Sequence, residues 1–169
     1  MPVNIEVKAR VYDFDRLRQK AEKLSDSPCQ VIPQVDTFFN CSNGRIKLRE
    51  LSPHTGQLVY YQRVDMPGPK HSEYKIFETD NPAMLKEILT EAFGVRGVVT
   101  KVRYLYMVGQ TRIHLDDVKG LGVFMELEVV LKPEQTDAEG KSIAKNLMQQ
   151  LGIEEQDLIN FAYIDLLEK

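Results

Sequence analysis

The chain has 169 residues and carries 22 Lys and Arg against 25 Asp and Glu, for a net charge of −3. This length suits one domain over residues 1–169, and the near balance of charge gives no electrostatic signature of a nucleic-acid-binding or membrane-surface protein. There is no apolar run near the roughly 20 residues of a membrane helix and no secretory signal, and Cys29 and Cys41 are too few for a disulfide framework, so we expect a cytoplasmic protein.

Eight segments alternate polar and apolar residues with the two-residue period of a β-strand. They are predicted at residues 3–11, 35–40, 45–51, 57–64, 72–78, 97–108, 110–118 and 123–131. Turn sequences at 42–44 and 53–56 favour hairpins between antiparallel neighbours. Eight such strands in a domain of this size predict an α+β fold, in which an eight-stranded antiparallel β-barrel has helices packed outside.

Three helices interrupt the strands, and each has recognisable end signals. Asp13 is a predicted N-cap, Asn81-Pro82 begins the second helix before Gly94 ends it, and Thr136 with Glu139 forms a capping box. A short helical tail is predicted over residues 154–167. The apolar stripes of the first three helices are expected to pack on the barrel's outer face; they consist of Leu17, Ala21, Leu24, Leu85, Ile88, Leu89, Phe93, Ile143, Leu147 and Leu151.

Five strands have one charged face and one aliphatic face. Glu6 and Lys8 share a face with Asn4 and Arg10, and the same division recurs at residues 45–49, 101–103, 112–116 and 126–128. An ordinary sheet with its charges in water is the plain alternative. However, several strands carry side chains of a single charge sign at alternate positions. Such side chains repel one another unless a polyanion neutralises the basic ones and a divalent cation neutralises the carboxylates. The interior of an eight-stranded barrel can hold one small ligand of this kind.

The segment 4–8, Asn-Ile-Glu-Val-Lys, resembles the N-terminal Glu-x-Glu-x-Lys signature of the CYTH or triphosphate tunnel metalloenzyme superfamily, with Asn4 at the first glutamate. Segments 61–65, 68–70, 72–74, 101–103, 112–116, 120–122 and 124–128 are similar to its class IV adenylyl cyclase branch, which is related to thiamine triphosphatase. The resemblance covers nearly the whole chain. Each short motif is weak alone, but their combination is specific.

The resemblance implies roles for individual residues. Ligands for Mg²⁺ or Mn²⁺ would be Glu6, Asp116, Glu126 and Glu128. Phosphate would be held by Lys8, Arg45, Lys47, Arg49, Arg63, Lys101, Arg103 and Arg112, and the catalytic residues would be Lys8, Lys101, Arg103 and Asp116. Asn4 brings no charge, so a second metal would be weak or absent. His114 is expected either to carry a proton or to hydrogen-bond to neighbouring carboxylates.

The tunnel suits more than one reaction on a small-molecule triphosphate. Likeness to the cyclase branch favours conversion of ATP to cyclic AMP and pyrophosphate. Hydrolysis of thiamine triphosphate, inorganic triphosphate or a nucleoside triphosphate is the alternative, and non-catalytic polyphosphate binding is a second one. We expect a monomer or homodimer that binds neither nucleic acid nor membrane.

Overall fold

The chain forms a closed eight-stranded antiparallel β-barrel with four helices outside it, as the computed structural model describes it for residues 3–63 and 68–168. The side chain of Arg63 and the predicted strand end at Val64 lie outside the described residues. In chain order the elements are β1 Val3–Arg10, α1 Phe14–Leu24, β2 Gln30–Phe39, β3 Arg45–Ser52, β4 Thr55–Arg63, β5 Lys70–Thr79, α2 Pro82–Phe93, β6 Val95–Val108, β7 Thr111–Val118, β8 Gly122–Val130, α3 Asp137–Leu151, β9 Leu158–Ile159 and α4 Tyr163–Leu167.

The strands follow the order β5-β4-β3-β2-β6-β7-β8-β1, and pairing of β1 with β5 closes the barrel. The short strand β9 pairs with β1 at Lys8 and Ala9, beyond the part of that edge taken by β5. Every one of these pairs is antiparallel, which places alternate residues of each strand inside and outside the barrel.

The aliphatic face of the strands forms the main core, outside the barrel wall. Ile5, Val7, Ile113, Leu115 and Leu127 are at most 1% exposed. They pack in one cluster with the buried stripes of α1 and α3, as the alternation predicted; those stripes consist of Leu17, Ala21, Ala144, Leu147, Met148 and Leu151. The hydrophobic effect therefore holds the polar faces turned inward.

The predicted helix ends are confirmed, because their signals are local. The side chain of Asp13 accepts a hydrogen bond from the backbone of Arg16, that of Asn81 from Met84, and Thr136 and Glu139 form the capping box. The apolar stripe of α2 was predicted too wide. Leu89 packs with Phe39 and Leu48, but Ile88 and Phe93 are more than half exposed, since they lie beyond the face of α2 that packs on β2, β3 and β4.

The predicted continuous tail helix is wrong. Residues 154–167 contain a 3₁₀ turn at Glu155–Asp157, then β9, and only then α4. The edge of β1 offers Leu158 and Ile159 backbone partners that a helix would forgo. Strand β2 also begins earlier than predicted, at Gln30 and not at residue 35. Pro33 is tolerated in this first part of β2 because the strand pairs there with β6 alone, so no β3 residue needs the N–H that proline lacks.

Candidate functional site

A cavity of about 310 Å³ runs along the inside of the barrel. Its lining includes six basic and four acidic side chains: Lys8, Lys47, Arg49, Lys101, Arg103 and Arg112, with Glu6, Asp36, Glu126 and Glu128. The acidic residues of β1 and β8 lie on one side of the barrel, the basic residues of β3 lie across from them, and those of β6 are separated from β8 by one strand. The net excess of cations suits a polyanion, and the acidic side suits a divalent cation.

The helix α4 closes one end of the cavity. Ile164 packs against Gly97 so closely that a Cβ there would clash with its side chain, and Asp165 accepts hydrogen bonds from Arg45 and Arg96. These contacts join the starts of β3 and β6, which lie at the same end of an antiparallel barrel. Ala162 and Tyr163 form the floor of the cavity.

The opposite end is a mouth with apolar lining. Ile32, Leu51 and Leu105 line the cavity there and are partly exposed. Gln34 lies just inside them, is 5% exposed, and its Oε1 has no hydrogen-bond partner among residues 3–63 and 68–168. The mouth therefore combines apolar contact surface with a buried acceptor.

On the basic side, three cations surround one carboxylate. Arg49 donates two hydrogen bonds of 2.8 Å to Asp36, and the Nζ atoms of Lys47 and Lys101 lie 3.2 and 3.5 Å from Asp36 Oδ2. Burial by itself would raise the pKa of Asp36, but Arg49 and the two lysines outweigh it and hold that pKa well below its ordinary value. Asp36 therefore stays ionised and keeps the three cations together.

Lys101 is the cation most affected by this crowding. Its side chain is buried beside Arg103, and burial followed by the repulsion of that guanidinium lowers the pKa of Lys101 to about 7. Asp36 only partly offsets this. Lys101 can therefore change protonation state near neutral pH.

A second buried pair fixes the neighbouring guanidinium. Arg103 donates two hydrogen bonds of 2.8 Å to Asp116, and the Tyr163 hydroxyl donates a third, also 2.8 Å, to Asp116 Oδ2. Burial would raise the pKa of Asp116, but Arg103 outweighs it and the pKa is lowered far below its usual value. Since Asp116 is 0% exposed and is not part of the cavity lining, it orients Arg103 from behind.

On the acidic side, a ring nitrogen and two carboxylates converge. His114, Glu126 and Glu128 each offer one ligand atom, and these atoms lie within 4.8 Å of one another. Lys8 Nζ lies 3.6 Å from Glu126 Oε2, while Asn4 and Arg112 donate to Glu128 Oε2 at 3.0 and 3.2 Å. Burial would raise the pKa of both glutamates, but the neighbouring Lys8 and His114 lower it, so both are carboxylates ready to bind a cation.

A family model of the CYTH domain matches residues 3–163. The chain belongs to the CYTH family. It is 21% identical over 171 residues to a Methanocaldococcus jannaschii protein provisionally named an adenylate cyclase, covering 97% of this chain and 98% of the relative. A Pyrococcus horikoshii protein of solved structure is 27% identical, with a TM-score of 0.84 over 96% of this chain and 98% of the other. A Hippeastrum protein, provisionally named an adenylyl cyclase and described as having a dominant triphosphatase activity, shares the fold at 16% identity, with a TM-score of 0.70 over 99% and 95% of the two chains.

Within this CYTH barrel, most of the predicted site residues lie together. The cavity lining includes Lys8, Lys47, Arg49, Lys101, Arg103, Arg112, Glu6, Glu126 and Glu128. Asp116 lies behind Arg103, and Arg45 is ion-paired with Asp165 at the closed end. The side chain of Arg63 is outside the described residues. The roles assigned to all of these residues stay predictions.

Sequence reasoning missed several residues of the site, among them Gln34, Asp36 and Tyr163. Asp36 had a signal, because Gln34, Asp36 and Phe38 alternate with Val35 and Thr37 and so share the inner face of β2. Tyr163 had no signal in the sequence, since its position depends on how α4 folds back across the barrel end.

None of the helices in the described part of the chain is long and apolar enough to cross a membrane.

Proposed function

We propose that this CYTH protein is a metal-dependent enzyme that binds an organic triphosphate in its tunnel and converts ATP to cyclic AMP and pyrophosphate. The observation that carries the proposal is the cavity itself, with basic side chains facing acidic ones inside a barrel closed at one end. A triphosphate chain suits the basic side, and Mg²⁺ or Mn²⁺ suits the carboxylates. The adenylate cyclase name of the archaeal relative supports the choice of reaction.

The shape of the cavity favours one direction of binding. On β2, β3 and β6 the charged residues of the lining lie deeper than Ile32, Leu51 and Leu105, so the phosphates would lie inside and the organic group at these three apolar residues. Gln34 Oε1 is a buried acceptor for an amino group of that organic part. Inorganic triphosphate leaves these contacts unused.

The chain's own residues supply alignment and charge. Arg49 and Arg103 are each held in a bidentate pair, which fixes their forks before a phosphate arrives. Glu126 and Glu128, with Glu6 on the same lining, would hold the divalent cation, which supplies neutralisation of the developing phosphate charge. In the cyclase reaction the ribose 3′-hydroxyl gives its proton to water and its oxygen bonds to the α-phosphorus. The bond between the α-phosphorus and the oxygen that bridges it to the β-phosphorus breaks, and pyrophosphate leaves.

Hydrolysis is the second candidate, and one residue favours it. Lys101 lines the cavity beside Arg103, where its side chain can orient a water that attacks the terminal phosphorus. The triphosphatase activity described for the Hippeastrum protein is in line with this alternative. Non-catalytic binding of a polyphosphate is the third candidate. Asn4 stands where the family signature has a glutamate, so the acidic side has one negative charge fewer.

Product analysis separates the three candidates. Purified protein is incubated with ATP, thiamine triphosphate or inorganic triphosphate and Mg²⁺ or Mn²⁺, and cyclic AMP, pyrophosphate and phosphate are quantified. Cyclic AMP with pyrophosphate supports the cyclase, and phosphate supports the hydrolase. Metal-dependent binding without any product would contradict both enzymatic assignments.

Matched variants test the site. Glu126→Ala and Lys8→Ala are expected to suppress product formation, while Lys75→Ala, an exposed lysine of β5, leaves it unchanged. Circular dichroism checks that the variants remain folded. Full turnover by folded Glu126→Ala and Lys8→Ala proteins would contradict the proposed site.

A further inference from the structure

Two polar atoms on the acidic side of the cavity are buried without a hydrogen bond. His114 Nδ1 and Asn4 Oδ1 have no hydrogen-bond partner among the described residues, although the two residues are only 3% and 2% exposed. Leaving a buried polar atom unsatisfied destabilises the fold, because the atom has lost its hydrogen bonds to water. Such a pair therefore points to a ligand that the protein is built to receive.

The His114 ring is held against the two carboxylates. His114 lies directly opposite Glu126 in the β7–β8 ladder. Its Nδ1 lies 3.0 Å from Glu128 Oε1, but without the alignment of a hydrogen bond. The other oxygen of Glu128 already accepts from Asn4 and Arg112, so Glu128 Oε1 and His114 Nδ1 are the neighbouring atoms left on this side of the site.

We propose that His114 is a direct nitrogen ligand of the divalent cation, together with Glu126 and Glu128. The three ligand atoms lie within 4.8 Å of one another, and ligands of one such ion lie at most about 4.2 Å apart, so small side-chain shifts complete the site. The inference rests on the proposed metal-dependent function.

A nitrogen ligand has a consequence for metal choice. Mg²⁺ strongly prefers oxygen ligands, whereas later divalent ions accept imidazole more readily. Asn4 adds a neutral group beside the site where the family signature has a carboxylate. The site should therefore bind Mn²⁺ more tightly than Mg²⁺, and replacing His114 should weaken Mn²⁺ binding by at least about 10-fold while changing Mg²⁺ binding much less.

Electron spin echo envelope modulation of bound Mn²⁺ tests the ligand without any turnover. Full-length protein labelled with ¹⁵N-histidine should show ¹⁵N coupling of a directly bound imidazole. His114→Gln should lose it, and His71→Gln, a half-exposed histidine paired with Asp137, should keep it. If His114→Gln does not fold, labelled His71→Gln and His54→Gln proteins that both retain the coupling identify His114 by elimination.

The outcomes separate this inference from the function. Absence of histidine coupling in Mn²⁺-loaded wild type, its persistence in folded His114→Gln, or failure of the wild type to bind Mn²⁺ would overturn the ligand assignment. Turnover in the product assay without histidine coupling would contradict only His114 as a ligand. Coupling without turnover would contradict only the enzymatic proposal.

Discussion

Asp36 is the residue on which the arrangement of the basic side depends. It lies 1% exposed between Arg49, Lys47 and Lys101 and accepts two hydrogen bonds from the guanidinium. Without it, three closely spaced cations would lose their nearest counter-charge. The same carboxylate competes with an incoming phosphate for these cations. Asp36 therefore weakens phosphate binding, but it holds the cations in position before the phosphate arrives.

Asp36→Asn should destabilise the ligand-free protein and strengthen its binding of tripolyphosphate. We expect a loss of about 3–5 kcal/mol in unfolding free energy, because the buried cations lose their counter-charge. Tripolyphosphate should then raise the melting temperature of Asp36→Asn more than that of wild type. Denaturant and thermal unfolding with and without tripolyphosphate measure both effects.

Asp117→Asn is the control for Asp36→Asn, since Asp117 lies on the outer face of β7 and is exposed. It should change neither stability nor the response to tripolyphosphate. An Asp36→Asn protein as stable as wild type would contradict the role of Asp36 as internal counter-ion.

Lys101 should make anion binding pH-dependent. Burial and Arg103 lower its pKa to about 7 in the free protein, so its neutral form prevails above that pH. A bound phosphate favours the charged form and raises the pKa, so binding at pH 8 should take up a proton at Lys101 and weaken as the pH rises. In the unfolded chain Lys101 regains an ordinary lysine pKa, so its contribution to stability rises with pH between about 7 and 10.5.

Calorimetric titration of metal-free ATP in two buffers of different ionisation enthalpy measures that proton. Wild type should take up more protons at pH 8 than Lys101→Met, and Lys75→Met should match wild type. Equal uptake by wild type and Lys101→Met would contradict a change of protonation at Lys101 on binding.

At the residue scale, the sequence predicted the inward charges well, because alternation along each strand decides which side chains share a face. Lys8, Arg49, Arg103 and Glu126 all line the cavity as expected. The ion pairs that these inward-facing side chains form were not predictable from the sequence. Arg103 is directly opposite Asp116, and Asp36 directly opposite Arg49, only through the register of neighbouring strands.

At the scale of elements, α4 connects the C-terminal segment to the site. It is only five residues long, yet Tyr163 reaches the buried Asp116 and its ring lies 3.9 Å from Lys8 Nζ. Helices whose caps lie in their own sequence, such as α1 and α3, were predictable. The tail was not, because β9 depends on the open edge of β1 and α4 on the barrel end.

Tyr163→Phe should reveal the contribution of that contact. The substitution keeps the ring against Lys8 but removes one donor from a buried carboxylate, so we expect a loss of about 1.5–3 kcal/mol in unfolding free energy. Urea unfolding measures it. Tyr12→Phe, at an 80% exposed tyrosine, is the control and should change stability very little; an equal effect of both substitutions would argue against the Tyr163–Asp116 bond.

At the scale of the whole molecule, the barrel gathers charges of both signs around one cavity. Core packing of the aliphatic faces under α1 and α3 holds the charged faces inward, at a desolvation cost that the Asp36 and Asp116 pairs partly offset. The closed barrel was predictable from eight alternating segments. The closure of one end by α4 and the apolar mouth at the other depend on tertiary contacts that alternation does not encode.

A crystal structure of the protein with Mn²⁺ and a non-hydrolysable ATP analogue tests the central claim most directly. We predict a Mn²⁺ anomalous peak bound by Glu126 and Glu128, with phosphate oxygens on Arg49, Lys101 and Arg103 and the base at the mouth. An analogue bound on the outer surface of the barrel, with no anomalous peak inside the cavity, would contradict the account.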